Sequence, residues 1–227
     1  MAVRPLALGP RFEWRMPASY QCSLFFLTNP NAPTGARYPK DKVRAFCRRM
    51  RGVIVLDEAY VDFADGDCLD LALASEHVLV LRSFSKSYSL AGLRAGYAIG
   101  SAALIEALLK IKDSYNTSRL TQAIALAAVR DQRTLRANVQ RIRRTRGWLA
   151  AQLAALGFEV FPSETNFLWV RPPRLPALEL FQQLVARRIF VRHFPGRRTA
   201  AYLRITVGTD QQAQLLMQAL REVYGAP

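Results

Sequence analysis

Cysteine, acid and long apolar runs are all scarce in this chain, and each shortage narrows what it can be. Three cysteines, Cys22, Cys47 and Cys68, are odd in number and lack both C-x-x-C and metal-ligand spacing, which excludes a disulfide framework and fits a reducing cytoplasm. No stretch approaches the ~20 uninterrupted apolar residues that span a bilayer. Met1 to Pro10 lacks the charged start, apolar run and small-residue cleavage site of a secretory signal. A cytoplasmic, soluble protein with no membrane partner is the expectation. Internal repeats and low-complexity tracts are also missing, so the 227 residues, 51% of them hydrophobic, should bury a conventional core.

Acid is the most unbalanced shortage: 17 Asp and Glu face 32 Lys and Arg, for a net charge of +15. A basic surface attracts nucleic-acid phosphates whatever their sequence. Arg130, Arg133, Arg136, Arg141, Arg143, Arg144 and Arg146 crowd one segment. At about 100° per residue on a helix, however, they spread round much of the circumference, and no RNP-like, zinc-finger or helix-turn-helix pattern accompanies them. The excess therefore reads as a solvated face plus a few anion-binding arginines in a site, with no nucleic-acid partner.

What is present is an alternation of short apolar runs and amphipathic stretches. Ser23–Leu27, Val53–Leu56 and Val78–Leu81 read as buried strands, with a helix over about Lys40–Met50 between the first two. Ala95–Gly100 reads as a further strand, and Ala102–Lys110 and Thr121–Arg130 as helices. One long amphipathic helix follows from Arg133 to about Leu156, stopped by Gly157. Beyond it, Phe158–Phe161, Asn166–Val170, Ile189–Arg192 and Tyr202–Val207 read as strands, and Ala177–Arg187 and Thr209–Tyr224 as helices. The implied fold class is α/β: a mainly parallel sheet in a larger unit over residues 1–132, then the long connecting helix and a smaller α+β unit over 133–227.

Three motifs fall at the carboxyl ends of the first three strands, where open α/β sheets bind their ligands. They are Asn29-Pro30-Asn31-Ala32-Pro33-Thr34-Gly35, Asp57-Glu58-Ala59-Tyr60, and Ser83-Phe84-Ser85-Lys86 running on to Arg94. Asp57 closes the apolar run Val53–Leu56, and a carboxylate there is costly unless paired. It either caps the following helix or holds a cation, for which a protonated pyridine nitrogen is a candidate. Lys86, among serines and with few acidic neighbours, is either a solvated surface charge or a reactive amine of lowered pKa. Ser83, Ser85 and Arg94 together offer hydroxyls and a forked cation to one phosphate.

Those motifs, in that order, resemble the fold-type I pyridoxal-phosphate (PLP) aminotransferases, most closely the histidinol-phosphate aminotransferases, over about Leu24 to Val223. The resemblance implies that Lys86 holds the cofactor covalently and acts as general base, that Asp57 pairs with the pyridine nitrogen, and that Tyr60 bonds the ring 3′-oxygen, with a contribution from Asn31. Ser83, Ser85 and Arg94 would hold the cofactor phosphate. Glu164-Thr165-Asn166-Phe167 resembles the entry to the site from the small unit, with Asn166 near the substrate carboxylate. Leu203-Arg204-Ile205-Thr206-Val207-Gly208 resembles the segment whose arginine clamps that carboxylate. Arg192 matches the arginine near the substrate's phosphate end; a surface charge at a strand end is the other reading of it. His193 reads as a loop residue.

Transamination of an amino-acid/keto-acid pair by a homodimer follows from the resemblance, with histidinol phosphate and 2-oxoglutarate as the leading pair. Another PLP aminotransferase, a phospho-amino-acid decarboxylase, or a non-catalytic relative that keeps only the fold are the alternatives. Two departures bear on these. Ala32 stands where the family has an asparagine that bonds the 3′-oxygen. The family's N-terminal arm, Gly/Ser-rich phosphate turn and ring-stacking aromatic are not recognisable in Met1–Gln21, so the chain is expected to be the C-terminal two-thirds of a longer enzyme.

Overall fold

The computed structural model describes residues 2–225. Its elements run β1 (Leu24–Thr28), α1 (Lys40–Arg49), β2 (Val53–Asp57), α2 (Leu69–Leu73), β3 (Val78–Ser83), β4 (Gly96–Ile99), α3 (Ala102–Ile111), α4 (Arg119–Arg130) and α5 (Gln132–Ala155). They continue with β5 (Glu159–Val160), β6 (Phe167–Arg171), α6 (Ala177–Ala186), β7 (Arg192–His193), β8 (Leu203–Thr206) and α7 (Asp210–Tyr224).

The first sheet has the order β1-β2-β3-β4, parallel across β1 to β3, with β4 returning antiparallel at one edge. β2 and β3 are apolar because both of their faces are covered. α1 supplies one cover: Val43, Phe46 and Cys47, spaced to share one helix face, are buried with Trp14, Leu27, Ile54 and Val80. β1 and β4 are the sheet's edges, and Phe26 on β1 is 65% exposed.

The second sheet, β5-β6-β8-β7, is antiparallel throughout. Strand alternation divides it into two faces. Leu168, Val170, Leu203 and Ile205 point into a core shared with α5, α6 and α7. Phe167, Trp169, Tyr202 and Arg204 point the other way, and Phe12 of the N-terminal segment packs edge-on to Trp169, Tyr202 and Phe161. Caps fix the helix ends on this side. α5 starts on Asp131, whose side chain accepts from Thr134 N–H. It stops at Gly157, where φ is +84° and Phe158 N–H reaches back to Leu153 O, a Schellman turn that closes with Leu153 and Phe158 in one core. α7 starts with a reciprocal cap between Thr209 and Gln212.

Most elements lie within a residue or two of their sequence positions. Two differ. The strand expected over Ile189–Arg192 begins only at Arg192, because the chain leaving α6 spends residues 187–189 on a turn: Arg188 has φ +59° and Ile189 N–H bonds Leu184 O. α2 carries no signal in the sequence beyond five residues of apolar alternation inside an acidic loop.

Candidate active site

The three motifs leave the first sheet side by side. Thr28 pairs with Asp57 and Asp57 with Leu81 across the parallel ladder, and the ladder runs on one step through Asn29 N–H to Asp57 O and Glu58 N–H to Leu81 O. Asp57 Oδ1 accepts from Ala59 N–H at 3.0 Å, so the carboxylate does close the turn that follows it. It forms no ion pair among the described residues. That turn delivers Tyr60, over whose ring the Lys86 ammonium lies 5.2 Å from the centroid. Lys86 also has no side-chain ion pair or hydrogen bond among the described residues, which leaves the Tyr60 face as its stabilising contact.

In the loop after β1, the two asparagines have different tasks. Asn29 is buried and structural: it accepts from Tyr38 N–H at 2.7 Å. Asn31 is half-buried and shapes the turn, bonding Ala36 O and Gly35 N–H through its backbone and accepting from Thr34 Oγ1 through its side chain. Ala32 offers no hydrogen bond beside it.

Ser83, Ser85 and Arg94 meet through the β3–β4 pairing. Ser83 stands opposite Gly96 and Phe84 N–H reaches Ala95 O, so Arg94 arrives across from Ser85. Ser83 Oγ accepts from Ser85 N–H at 3.0 Å. Arg94, at φ +53°, bonds Ala91 O and turns to an open cavity of about 380 Å³ shared with Asn116, Thr117, Thr121 and Gln122. No bond among the described residues joins the three side chains directly.

On the second sheet, Arg192 and Arg204 are direct cross-strand partners. Like charges placed opposite each other repel. Aromatic faces offset this: the Arg204 guanidinium lies between Phe167 and Phe194, at 5.0 and 5.4 Å, and Arg192 stacks on Phe194 at 5.5 Å. Arg204 Nε is buried without a partner. Asn166 sits just before β6, its carbonyl accepting from Val207 N–H. The two halves touch where Tyr60 packs edge-on to Phe167, ring centroids 5.2 Å apart. Lys86, Tyr60, Phe167, Arg204, Phe194 and Arg192 therefore form one unbroken row of contacts across the junction.

The row includes two residues to which the sequence assigned no role, Phe167 and Phe194. A signal for Phe167 was available. β6 is apolar at every position from Phe167 to Val170, where an antiparallel strand with one wet face would alternate. Phe194 lies just past a two-residue strand and leaves no pattern.

The donor set suits an anionic, ring-bearing cofactor with an amino-acid substrate beside it. The buried Arg204 Nε without an acceptor is costly on its own, while the half-buried Asp57 carboxylate, Lys86 ammonium and Ser83 and Ser85 hydroxyls have capacity left for a ligand.

The model of "Aminotransferase class I and II" matches residues 14–220. A histidinol-phosphate aminotransferase of Geobacter sp. (strain M21) is 45% identical over 222 residues, covering 97% of this chain and 63% of that protein. One from Microcystis aeruginosa (strain NIES-843 / IAM M-2473) is 42% identical over 205 residues, 90% of this chain and 59% of that protein. Among solved structures, the histidinol-phosphate aminotransferase from Sinorhizobium meliloti in complex with pyridoxal-5′-phosphate superposes with a TM-score of 0.82 at 31% identity, over 89% of this chain and 57% of that one. The chain thus spans about three-fifths of the length of the curated relatives it matches. With its strand-end motifs and sheet order as described, it belongs to the class I and II aminotransferases.

Proposed function

We propose that this chain carries the cofactor lysine and the substrate arginines of a PLP-dependent histidinol-phosphate aminotransferase. The row from Lys86 through Tyr60, Phe167 and Arg204 to Arg192 is the observation that carries the reading. The names of its relatives agree with it. When bound, the cofactor supplies an electron sink for the substrate's α-carbon. The chain's residues do the rest. Asp57 holds the proton on the ring nitrogen, Tyr60 and Asn31 set the ring's 3′-oxygen, and Ser83, Ser85 and Arg94 take the phosphate. Lys86 anchors the cofactor and moves the proton at the α-carbon. Arg204 forks the α-carboxylate of glutamate beside Asn166, and Arg192, one strand over, takes the phosphate of histidinol phosphate, which has no carboxylate.

A second reading is decarboxylation of a related phospho-amino acid, and its reaction type has a specific support: a decarboxylase from Sulfurospirillum multivorans superposes with a TM-score of 0.80 at 25% identity. The backbone hardly separates the two readings. The test is uptake of pyridoxal phosphate, read as absorbance above 400 nm, followed by L-histidinol phosphate with 2-oxoglutarate. Glutamate formation is the expected outcome, carbon dioxide release from L-threonine O-3-phosphate, which unlike L-histidinol phosphate carries a carboxyl group, would favour the second reading, and Lys86→Ala should lose both colour and turnover. Persistence of both in Lys86→Ala would sink the assignment.

The same reading extends to the cytoplasm and to a homodimer. Three free cysteines, two of them buried, suit the first. No helix among the described residues is long and apolar enough to cross a membrane. The second is supported by α3 and α4, which bury no residue yet present Leu109, Ile111, Leu120 and Leu126 to solvent. Self-association in size-exclusion chromatography is the expected result; a stable monomer counts against it.

A further inference from the structure

The junction between the two sheets is held by polar groups, and they gather on one side chain. Glu164 precedes the Thr165-Asn166-Phe167 segment that enters β6. Its Oε2 accepts from Arg37 Nε at 2.7 Å and from Asp65 N–H at 2.8 Å, while its own N–H donates to Gly35 O at 2.9 Å. Those partners belong to the loop that contains Asn31 and to the turn that follows Tyr60. One residue thus ties three segments: two that carry proposed cofactor contacts and one that carries proposed substrate contacts.

The neighbourhood permits little slack. Gly35 has φ +79°, and a Cβ there would stand 2.6 Å from Ser163 Oγ, so the loop and the β6 entry pass at backbone contact. Arg146 of α5 bonds Thr165 O at 2.6 Å and Phe63 O at 3.4 Å, and Arg143 pairs with Asp65. The Glu164 and Arg37 side chains are each 26% exposed, which shields their pair more than an ordinary surface bridge. Tyr60 on Phe167, an apolar link across the same gap, is not directional and fixes no distance by itself.

We infer that Glu164 is a positioning residue that sets the spacing between the cofactor side of the site, Tyr60 and Asn31, and its substrate side, Asn166 and Arg204. The inference rests on the function proposed above. Its consequence is selective. The cofactor contacts assigned above all lie on the first sheet and its loops, so loosening the junction should leave cofactor binding nearly unchanged. An amino-acid substrate must reach Lys86 and Arg204 together, and a shift of about an ångström between them is enough to cost up to ~100-fold.

The experiment compares wild type, Glu164→Gln and Glu164→Ala in two absorbance titrations: pyridoxal phosphate into the cofactor-free chain, and L-glutamate, which carries the carboxylate assigned to Arg204, into the loaded chain. Glu164→Ala should raise half-saturation by L-glutamate about tenfold and that by pyridoxal phosphate less than twofold. Glu164→Gln keeps an acceptor oxygen and should fall between, which also covers the case in which the alanine variant does not fold. Parallel weakening of both ligands, or no change in either, overturns the inference. Hydrogen exchange on the cofactor-free chain separates the two ways of failing. Exchange at the amides of Asp65 and Glu164 should quicken together in Glu164→Ala; unchanged exchange overturns the tie. Faster exchange in a chain whose wild type takes up no pyridoxal phosphate upholds the tie and overturns the function built on it.

Discussion

Helices α3 and α4 and helices α6 and α7 have similar apolar content and opposite fates. α6 buries Ala177, Leu180 and Leu184 and α7 buries Leu216, Met217, Ala219, Leu220 and Tyr224 in the core of the second sheet. α3, whose sequence is Ala-Ala-Leu-Ile-Glu-Ala-Leu-Leu-Lys-Ile, buries nothing, and neither does α4. The difference is in the partner, not in the helix. Amphipathic spacing states that a helix will cover something; it does not state what. The second sheet has its helical layer in α5, α6 and α7, whereas the central strands of the first sheet are buried on both faces without any buried residue from α3 or α4.

The largest effect that would test this contrast is a pair of truncations. Leu180→Ala, in a fully buried position, should cost about 2–5 kcal/mol. Leu109→Ala, at 58% exposure, should stay within about 0.5 kcal/mol. Chemical denaturation of the two variants reads this directly. Equal losses would mean that α3 is packed in solution, and the contrast between the two helical layers would fail.

A smaller but pH-dependent effect separates the two cores further. The second core is apolar, while the first sheet buries an ion pair where β2 and β3 end. Glu58 accepts from Arg82 Nε and Nη2 and from Cys68 N–H, and Arg82 continues to Asp67. Removing one partner of such a pair costs about 3–5 kcal/mol, and Glu58→Ala should fall at the lower end because Asp67 still faces Arg82. Burial pushes the Glu58 carboxyl above its ordinary value, with the Cys68 N–H and Arg82 offsetting only part of that. A carboxyl raised in the folded state favours folding at pH values below its unfolded pKa, and that contribution is lost as pH rises through the folded value. The stability of wild type relative to Glu58→Gln should therefore decline as pH rises through that interval. A difference that instead grows with pH would show that pairing with Arg82 outweighs burial.

That ion pair also marks the limit of what the sequence could disclose. β2 and β3 were legible because their positions are apolar without interruption, and α5 because its amphipathic pattern is long and Gly157 stops it. Asp57, Lys86 and Arg204 stood out by type and by place at strand ends. Glu58 lies one residue from Asp57 yet points to the opposite side, and its partner Arg82 is 24 residues on. Nothing local joins them. Glu164 and Arg37 are 127 residues apart, and the aromatic plates of Arg204 come from two different strands' ends. Local periodicity shows elements; contacts that depend on how two sheets meet are set only when the chain is assembled.

The smallest predicted effect concerns the rim of the well-covered core. Tyr224 closes α7 there, stacked edge-on against Phe158 and beneath the Arg174 guanidinium, with its hydroxyl buried and unbonded among the described residues. An unbonded buried hydroxyl opposes folding by about 1–3 kcal/mol, while the ring itself favours it. Tyr224→Phe keeps the ring and removes the hydroxyl, so near neutral pH it should be neutral or stabilising by up to about 1 kcal/mol. Arg174 still bonds the backbone carbonyl of residue 224, so that contact survives the exchange. Burial pushes the Tyr224 phenol from its ordinary 10.0 up to about 12. The unfolded chain therefore gives up this proton first, and wild type should lose stability as pH climbs from about 10 towards about 12, while the phenylalanine variant lacks that component. Melting curves of the two proteins between pH 7 and 11 test both parts. If Tyr224→Phe is destabilising at pH 7 by as much as a core truncation, the hydroxyl has a bonding partner in solution, and this end of α7 is more polar than its packing implies.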